Sequence, residues 1–177
     1  MAPGIAAEIR DPETNRKLSL HESGMLWLRG PNVFDGYLDD LARSAEVLRD
    51  GWFKTGDLGR FDEDGFLFIE GRLSRFAKIG GEMVPHETVE QKVLAALKLE
   101  AQAERIIAVM SMPDEAKGEA LVLLTSIDID PQLLRSALHE ANVPNLWVPR
   151  VIRRVEAIPV LASGKLDLGK CKELVAA

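Results

Sequence analysis

The chain has 177 residues, 46% of them hydrophobic and 28% charged, and a formal net charge of −6. These values describe one ordinary globular domain or two small ones, and they argue against a nucleic-acid binder, which carries a basic field. Cys171 is the single cysteine and has no internal disulfide partner, which fits a reducing compartment. No apolar run approaches the roughly 18 residues of a membrane span. Met1–Ala2–Pro3–Gly4 lacks the basic start and apolar stretch of a signal peptide, so the expected location is the cytoplasm.

The first part of the chain reads as β. Ala7–Arg10 leads into Asp11–Pro12, a turn signal, and Met25–Arg29 forms a strand closed by Gly30–Pro31. A short helix is expected from about Asp39 to Leu48, with Leu41, Ala45 and Leu48 on one face and Asp39 or Asp40 as cap. Leu58 to Ile69 reads as a hairpin about Asp64–Gly65, a pair that tolerates the positive φ angles of a tight turn. Gly71–Arg72 then interrupts the pattern.

From about residue 75 strands and helices alternate. Arg75–Ile79 and Glu82–Val84 flank Gly80–Gly81, a second hairpin signal. Pro85 opens a helix with Val89, Val93, Leu94 and Leu97 on one side. Arg105–Met112 and Ala120–Ile127 are β-leaning runs separated by the turn-like segment Pro113–Gly118. Asp130–Pro131 starts a helix whose stripe is Leu133, Leu134, Ala137, Leu138 and Ala141. Val151–Val155 is a final strand, Pro159–Lys165 a loop, and a short helix follows from about Asp167. The pattern predicts a β-rich segment of about 70 residues before a compact α+β domain of about 100, with a short sheet and flanking helices.

Several motifs fail on inspection. Ser163–Gly164–Lys165 resembles the end of a phosphate loop, but Pro159 and Leu166 occupy positions that demand Gly and Ser or Thr. Asp62–Asp64–Gly65 lacks the spread of ligands of a calcium loop. His21, His86 and His139 share no metal-ligand spacing with one another or with Cys171. Thr55–Gly56–Asp57 reads by itself as a turn, and Lys165 by itself as a solvated side chain.

Four stretches taken in order change this reading. They are Gly51-Trp-Phe-Lys-Thr-Gly-Asp-Leu58, Gly65-Phe-Leu-Phe-Ile-Glu-Gly-Arg72, Ala77-Lys-Ile-Gly-Gly-Glu-Met-Val84, and Pro159-Val-Leu-Ala-Ser-Gly-Lys-Leu-Asp167. Together they resemble the late core motifs of the adenylate-forming superfamily: acyl-CoA synthetases, luciferases and peptide-synthetase adenylation domains. Pro31–Tyr37 also looks like that family. Within it, Arg75–Ile79 with Gly81–Val84, Lys117–Leu123 and Val143–Arg150 are similar to the synthetase part of bifunctional 2-acylglycerophosphoethanolamine acyltransferase/acyl-acyl-carrier-protein synthetases.

The resemblance implies that residues 1–72 are the distal β-rich part of a large N-terminal adenylation domain and residues 73–177 a mobile C-terminal lid domain. It implies ATP with magnesium, a fatty acid, and acyl transfer to a carrier-protein thiol, CoA or a lysophospholipid, in a parent associated with the inner face of a membrane. It assigns Asp57 to the ribose hydroxyls of the nucleotide, since a carboxylate accepts two donors at once, and places Arg72 near the nucleotide. Lys165 would bring its ammonium between the carboxylate and the α-phosphate, lowering the barrier by roughly 3 to 4 kcal/mol as other well-placed donors do. Ser74 stands at the hinge, where the family often has Asp or Lys. Gly80 and Gly81 would face the pantetheine arm. Arg150, Arg153 and Arg154, with Lys170 and Lys172 nearby, would form a basic landing site for an acidic carrier protein. The family's phosphate loop and acyl pocket have no counterpart here, so the chain is expected to be a fragment that does not adenylate alone and that binds no nucleotide or metal by itself. Two alternatives stand beside this reading: a non-catalytic carrier-protein-binding module on the same fold, and a CoA ligase of another acid.

Overall fold

The computed structural model describes residues 3–99 and 104–176. Met1 and Ala2, weighed above for a leader, lie outside them. The chain divides into two compact units, Met1–Ser74 and Arg75–Ala177, and each is described by itself. Both units combine strands and helices, and the chain is α+β.

The first unit is built on one long strand. β1 (Ala6–Arg10), β2 (Gly24–Arg29), β3 (Leu48–Arg49), β4 (Trp52–Phe61) and β5 (Leu67–Arg72) form an antiparallel sheet, and the short helix α1 (Leu41–Val47) precedes β3. β4 pairs with β2 along one edge and with β3 and then β5 along the other. Ile9, Met25, Leu26, Trp27 and Leu58 are buried here. The Arg10 guanidinium is held by Glu8 at 2.8 Å and lies over the rings of Trp27 and Trp52, 4.8 and 4.9 Å from their centroids, so its charge closes one end of the apolar layer.

Four expectations in this unit need correcting. Asp40 does cap α1, its side chain accepting from the Arg43 N–H, but the helix stops at Val47: Leu48 belongs to β3, no α1 residue is buried and Leu41 is 85% exposed. Gly71–Arg72 does not end the strand, since both lie in β5, and the interruption takes the form of a bulge: Leu58 pairs with Gly71 and Gly59 with Ile69, which leaves Glu70 unpaired between them. The β4–β5 turn is not a two-residue Asp-Gly turn. Asp62 organises it, its carbonyl accepting from Gly65 N–H at 3.1 Å and its carboxylate from Phe66 N–H at 2.8 Å, and of Asp64 and Gly65 only Gly65 is left-handed, φ +79°. Thr55–Gly56–Asp57 is not a turn either; it lies inside β4.

The second unit centres on the hairpin of β8 (Ile107–Asp114) and β9 (Gly118–Thr125), paired without interruption from Ile107↔Thr125 to Asp114↔Gly118. Pro113 sits inside β8, although the sequence placed it in the turn. It can do so because β8 pairs with β9 alone and needs no N–H on its open edge. β10 (Val151–Arg154) lies parallel to β9. The hairpin of β6 (Phe76–Ile79) and β7 (Glu82–Pro85) joins β9 through Ile79↔Gly118.

The central ladder is apolar on both faces. Ile107, Val109, Leu121 and Leu123 pack with α2 (His86–Ala96) and α3 (Pro131–Glu140), burying Val89, Val93, Leu134 and Leu138 in the same cluster. Ala108, Met110, Val122 and Leu124 point the other way, into a cluster with Ile158 and with Cys171 of α4 (Leu168–Ala176). Alternate residues thus feed two cores, and the runs read as continuous rather than alternating hydrophobic stretches for that reason.

α3 starts as expected, with the Asp130 carboxylate accepting from Gln132 and Leu133 N–H and Pro131 in the first turn. Its stripe is narrower than expected: Leu134 and Leu138 are buried, but Leu133 is 62% exposed and Ala141 is exposed. Substituting Leu138 by Ala is therefore expected to cost about 2–5 kcal/mol. Leu133→Ala is expected to change stability by less than about 0.5 kcal/mol. Urea denaturation of the chain measures both; equal effects would mean that α3 is rotated from the orientation described.

Candidate functional site

In the first unit, β4 carries extra residues opposite β2. Met25 pairs with Leu58 and Trp27 with Lys54, so Thr55, Gly56 and Asp57 bulge opposite Leu26. Thr55 Oγ1 stitches the bulge, donating to the Leu26 carbonyl at 2.9 Å and accepting from Asp57 N–H at 3.0 Å. Gly56 takes φ +81°, which an L side chain rarely adopts, and a Cβ there would lie 3.7 Å from Arg72 Nη1. The bulge re-aims Asp57 toward Arg72 of β5, its cross-strand partner, and Arg72 Nε meets Asp57 Oδ1 at 2.7 Å. The two residues assigned to a nucleotide are therefore brought together: a half-buried carboxylate beside an exposed guanidinium.

Ser74 is exposed, in the 3-10 turn Leu73–Arg75, and is the last residue of the first unit. The next residue is its opposite in environment. Arg75 is buried, donates through Nη2 to Glu90 Oε1 at 2.7 Å and through Nη1 to the Val109 carbonyl at 3.1 Å, and has Glu87 at 3.7 Å from Nε. Glu90 is equally occupied: Oε1 also accepts from Val109 N–H at 2.8 Å, and Oε2 from Arg105 at 3.0 Å. The sequence reading did not assign this network. A signal was present, since Glu90 lies one helical turn after His86 and next to Val89 on the apolar side of α2, where a carboxylate needs a partner.

Gly80–Gly81 makes the two-residue turn of the β6–β7 hairpin, with Ile79 opposite Glu82 and φ values of +58° and +88°. Both φ values are positive, as a type I′ turn requires. A Cβ at either position would meet nothing within 4 Å, so the open tip lets a ligand approach the backbone. The hairpin is braced from outside: Gly80 N–H donates to the Lys117 carbonyl at 2.9 Å, Lys78 N–H donates to Glu119, and Trp147 Nε1 donates to Glu82 at 2.8 Å.

Lys165 sits on a small closed turn. Val160 and Leu166 form a bridge, Leu161 N–H donates to the Lys165 carbonyl at 2.8 Å, and Gly164 N–H donates to the Leu161 carbonyl at 2.8 Å. Asp167 N–H donates to the Pro159 carbonyl at 3.0 Å and fixes the base of the turn. Gly164 is left-handed at φ +77°. The Lys165 side chain is exposed and, among the described residues, makes no ion pair. Its backbone is held while its ammonium is free to move.

The three arginines assigned to carrier binding are already engaged. Arg150 pairs with Asp114 at 2.6 Å, Arg154 pairs with Asp128, and Arg153 donates to the Leu174 carbonyl of α4. Arg150 also borders an open groove of about 560 Å³ lined by Arg135, His139 and Glu140 of α3 and by Asn145 and Pro149. Cys171 is buried, and burial, with Asp167 beside it, pushes its thiol up, away from the thiolate form that reacts. Among the described residues no three His, Cys, Asp or Glu side chains gather to hold a metal, and no helix is long and apolar enough to cross a membrane.

No family model matches the chain. Comparison with characterised proteins is more informative. The chain is 33% identical over 159 residues to the 2-succinylbenzoate–CoA ligase of Listeria monocytogenes, covering 89% of this chain and 33% of the relative. It is 38% identical over 171 residues to 4-coumarate–CoA ligase-like 4 of Oryza sativa, covering 94% and 30%. These relatives are acid–CoA ligases. The chain spans about a third of the length of the curated ligases it matches. Among solved structures, ATP-bound MatB of Rhodopseudomonas palustris superposes over 97% of this chain and 34% of its own, with a TM-score of 0.73 and 28% identity. The amide bond synthetase McbA of Marinactinospora thermotolerans superposes over 97% and 35%, with a TM-score of 0.68 and 34% identity.

His86 gives a test of this site's interior. It is 2% exposed, and neither ring nitrogen has a hydrogen-bond partner among the described residues. Burial, and then the charge of Arg75, lower its pKa from 6.5 to about 3. The folded chain thus keeps the ring neutral while the unfolded chain protonates it below about pH 6.5. Between those limits the unfolded state holds the extra proton, so this contribution to stability is lost as pH falls from 6.5 toward 3. His86→Leu is expected to flatten the dependence of the urea midpoint on pH over that window. An unchanged slope would mean that His86 is protonated in the fold.

Proposed function

We propose that the chain is the C-terminal portion of an ATP-dependent acyl ligase of the adenylate-forming superfamily. In this reading residues 1–72 complete a nucleotide-binding domain and residues 73–177 form its mobile lid. The parent joins a fatty acid to a thiol in two steps. First, a carboxylate oxygen of the acid bonds to the α-phosphorus of ATP as the bond to pyrophosphate breaks, giving an acyl-adenylate. Second, the acceptor sulfur bonds to the acyl carbon as the acyl–oxygen bond breaks and AMP leaves, with the thiol proton passing to solvent.

The observation that carries the reading is the Lys165 turn: a backbone pinned by three hydrogen bonds carrying an exposed ammonium that makes no ion pair among the described residues. Two anions approach in the first step, and a cation delivered on a flexible stem stabilises the charge that shifts between them. Asp57 is suited to the ribose hydroxyls because a carboxylate has acceptor capacity beyond the one contact that Arg72 Nε makes with its Oδ1. Arg72 would then stand beside the nucleotide, holding Asp57 in its acceptor orientation. Magnesium accompanies ATP in this chemistry, and its ligands would come from the rest of the parent.

The acceptor is a carrier-protein thiol in this proposal, supported by the motifs around Arg75–Val84 and Lys117–Leu123. A second reading, CoA as acceptor, is favoured by the names of the relatives. Supplying the full-length protein with CoA or with holo-carrier protein, and comparing thioester yields, decides between them.

Replacing Lys165 by Ala in the full-length protein is expected to cut acid-dependent ATP–pyrophosphate exchange by about 10²- to 10³-fold. Thioester formation from supplied acyl-adenylate should persist. Unchanged exchange would remove Lys165 from the first step.

A further inference from the structure

We infer that Arg75 is a positioning residue that ends the hinge: backbone rotation is confined to Leu73–Ser74, and Arg75 transmits it without slack to the Gly80–Gly81 hairpin. This rests on the ligase reading above, in which the second unit changes orientation between the two steps.

A hinge needs a few residues that absorb φ/ψ change, followed at once by something that does not yield. Ser74 is small and exposed. One residue later, Arg75 is buried and its guanidinium is held by Glu90 of α2 and the Val109 carbonyl of β8, with Glu87 close by. Glu90 in turn grips the Val109 N–H and Arg105. The first residue of the second unit is therefore fixed by side chain to both a helix and the central ladder. Phe76, the next residue, already pairs with Pro85 in the β6–β7 hairpin, whose other end is the open glycine turn. Any torsion at Ser74 is passed from the arginine anchor into β6 and so to Gly80–Gly81. Without the anchor, rotation would dissipate in a loosened Arg75–Phe76 segment. The second step, which needs the hairpin delivered to the acceptor, would suffer more than the first.

Two measurements test this. In the 177-residue chain, Arg75→Met is expected to raise amide hydrogen exchange across Arg75–Ile79 while α4, which packs on the opposite face of the ladder, keeps its protection. In the full-length protein, the same variant is expected to slow thioester formation by roughly tenfold more than it slows pyrophosphate exchange. Arg75→Lys, which keeps a charge for Glu90 but loses the guanidinium fork, should fall between wild type and Arg75→Met. Val89→Ala removes apolar packing of α2 but none of the hydrogen bonds of the anchor, and serves as the control for lost stability. It should lower both steps together or neither. If Arg75→Met behaves like Val89→Ala, or exchange at Arg75–Ile79 is unchanged, the anchor is merely structural and the inference fails while the ligase reading stands. If wild-type full-length protein shows no acid-dependent exchange, the ligase reading itself fails, and the hinge with it.

Discussion

The second unit depends on the burial of one two-stranded ladder from both sides. β8 and β9 pair over their whole length, and their alternate side chains enter separate cores. Each face needs its own cover, so α2 and α3 close one side and α4 the other. This requirement positions the functional elements. β9 also holds β10 along its far half and touches β6 at Gly118, so the glycine hairpin hangs from the start of the ladder. The Lys165 turn is tied in at the other face, between Ile158 and Cys171, both buried against Ala108, Met110, Val122 and Leu124.

Into this apolar ladder the chain inserts one charged cluster, Arg75–Glu90–Arg105. Removing one partner from a buried ion pair strands the other and typically costs about 3–5 kcal/mol, even where the intact pair adds little net stability. Glu90 avoids stranding by accepting from two guanidiniums and a backbone N–H. His86 shares this interior in the opposite way: it makes no hydrogen bond and remains neutral because burial and the Arg75 charge both disfavour its protonated form. A polar interior next to the unit boundary restrains the chain where the sequence leaves Ser74 unrestrained.

Much of the fold was legible from sequence because local chemistry agreed with tertiary packing. Gly80–Gly81 read as a tight turn since two positive φ values in succession leave little choice but glycine. Asp130–Pro131 read as a helix start for equally local reasons. The errors arose where tertiary context overrode the local pattern. Thr55–Gly56–Asp57 looked like a turn, yet the neighbouring strands carry the backbone through as a bulge. Pro113 looked like a breaker, yet an edge strand has no use for its missing N–H. Leu41 and Leu133 lie on apolar helix faces in the sequence, yet they are 85% and 62% exposed. For the site, the Asp57–Arg72 pair is joined by cross-strand register, which spacing alone does not reveal. The commitments of Arg150, Arg153 and Arg154 to Asp114, Leu174 and Asp128 depend on which carboxylates and carbonyls the fold brings near. No reading of a basic cluster along the chain predicts that pairing.

β5 has one further property. It pairs with β4 on one side only, and Phe68 and Ile69 on it, with Phe66 at its entry, are 44%, 56% and 65% exposed. A strand edge with free amide and carbonyl groups and greasy side chains is a template for extension by another copy. Glu70 and Arg72 interrupt that template with charge, and both are tied back, Glu70 to Arg60 and Ser23, Arg72 to Asp57. The ion pairs that shape this end of the sheet thus also set charge among the apolar side chains of its rim, and concentrated salt weakens them.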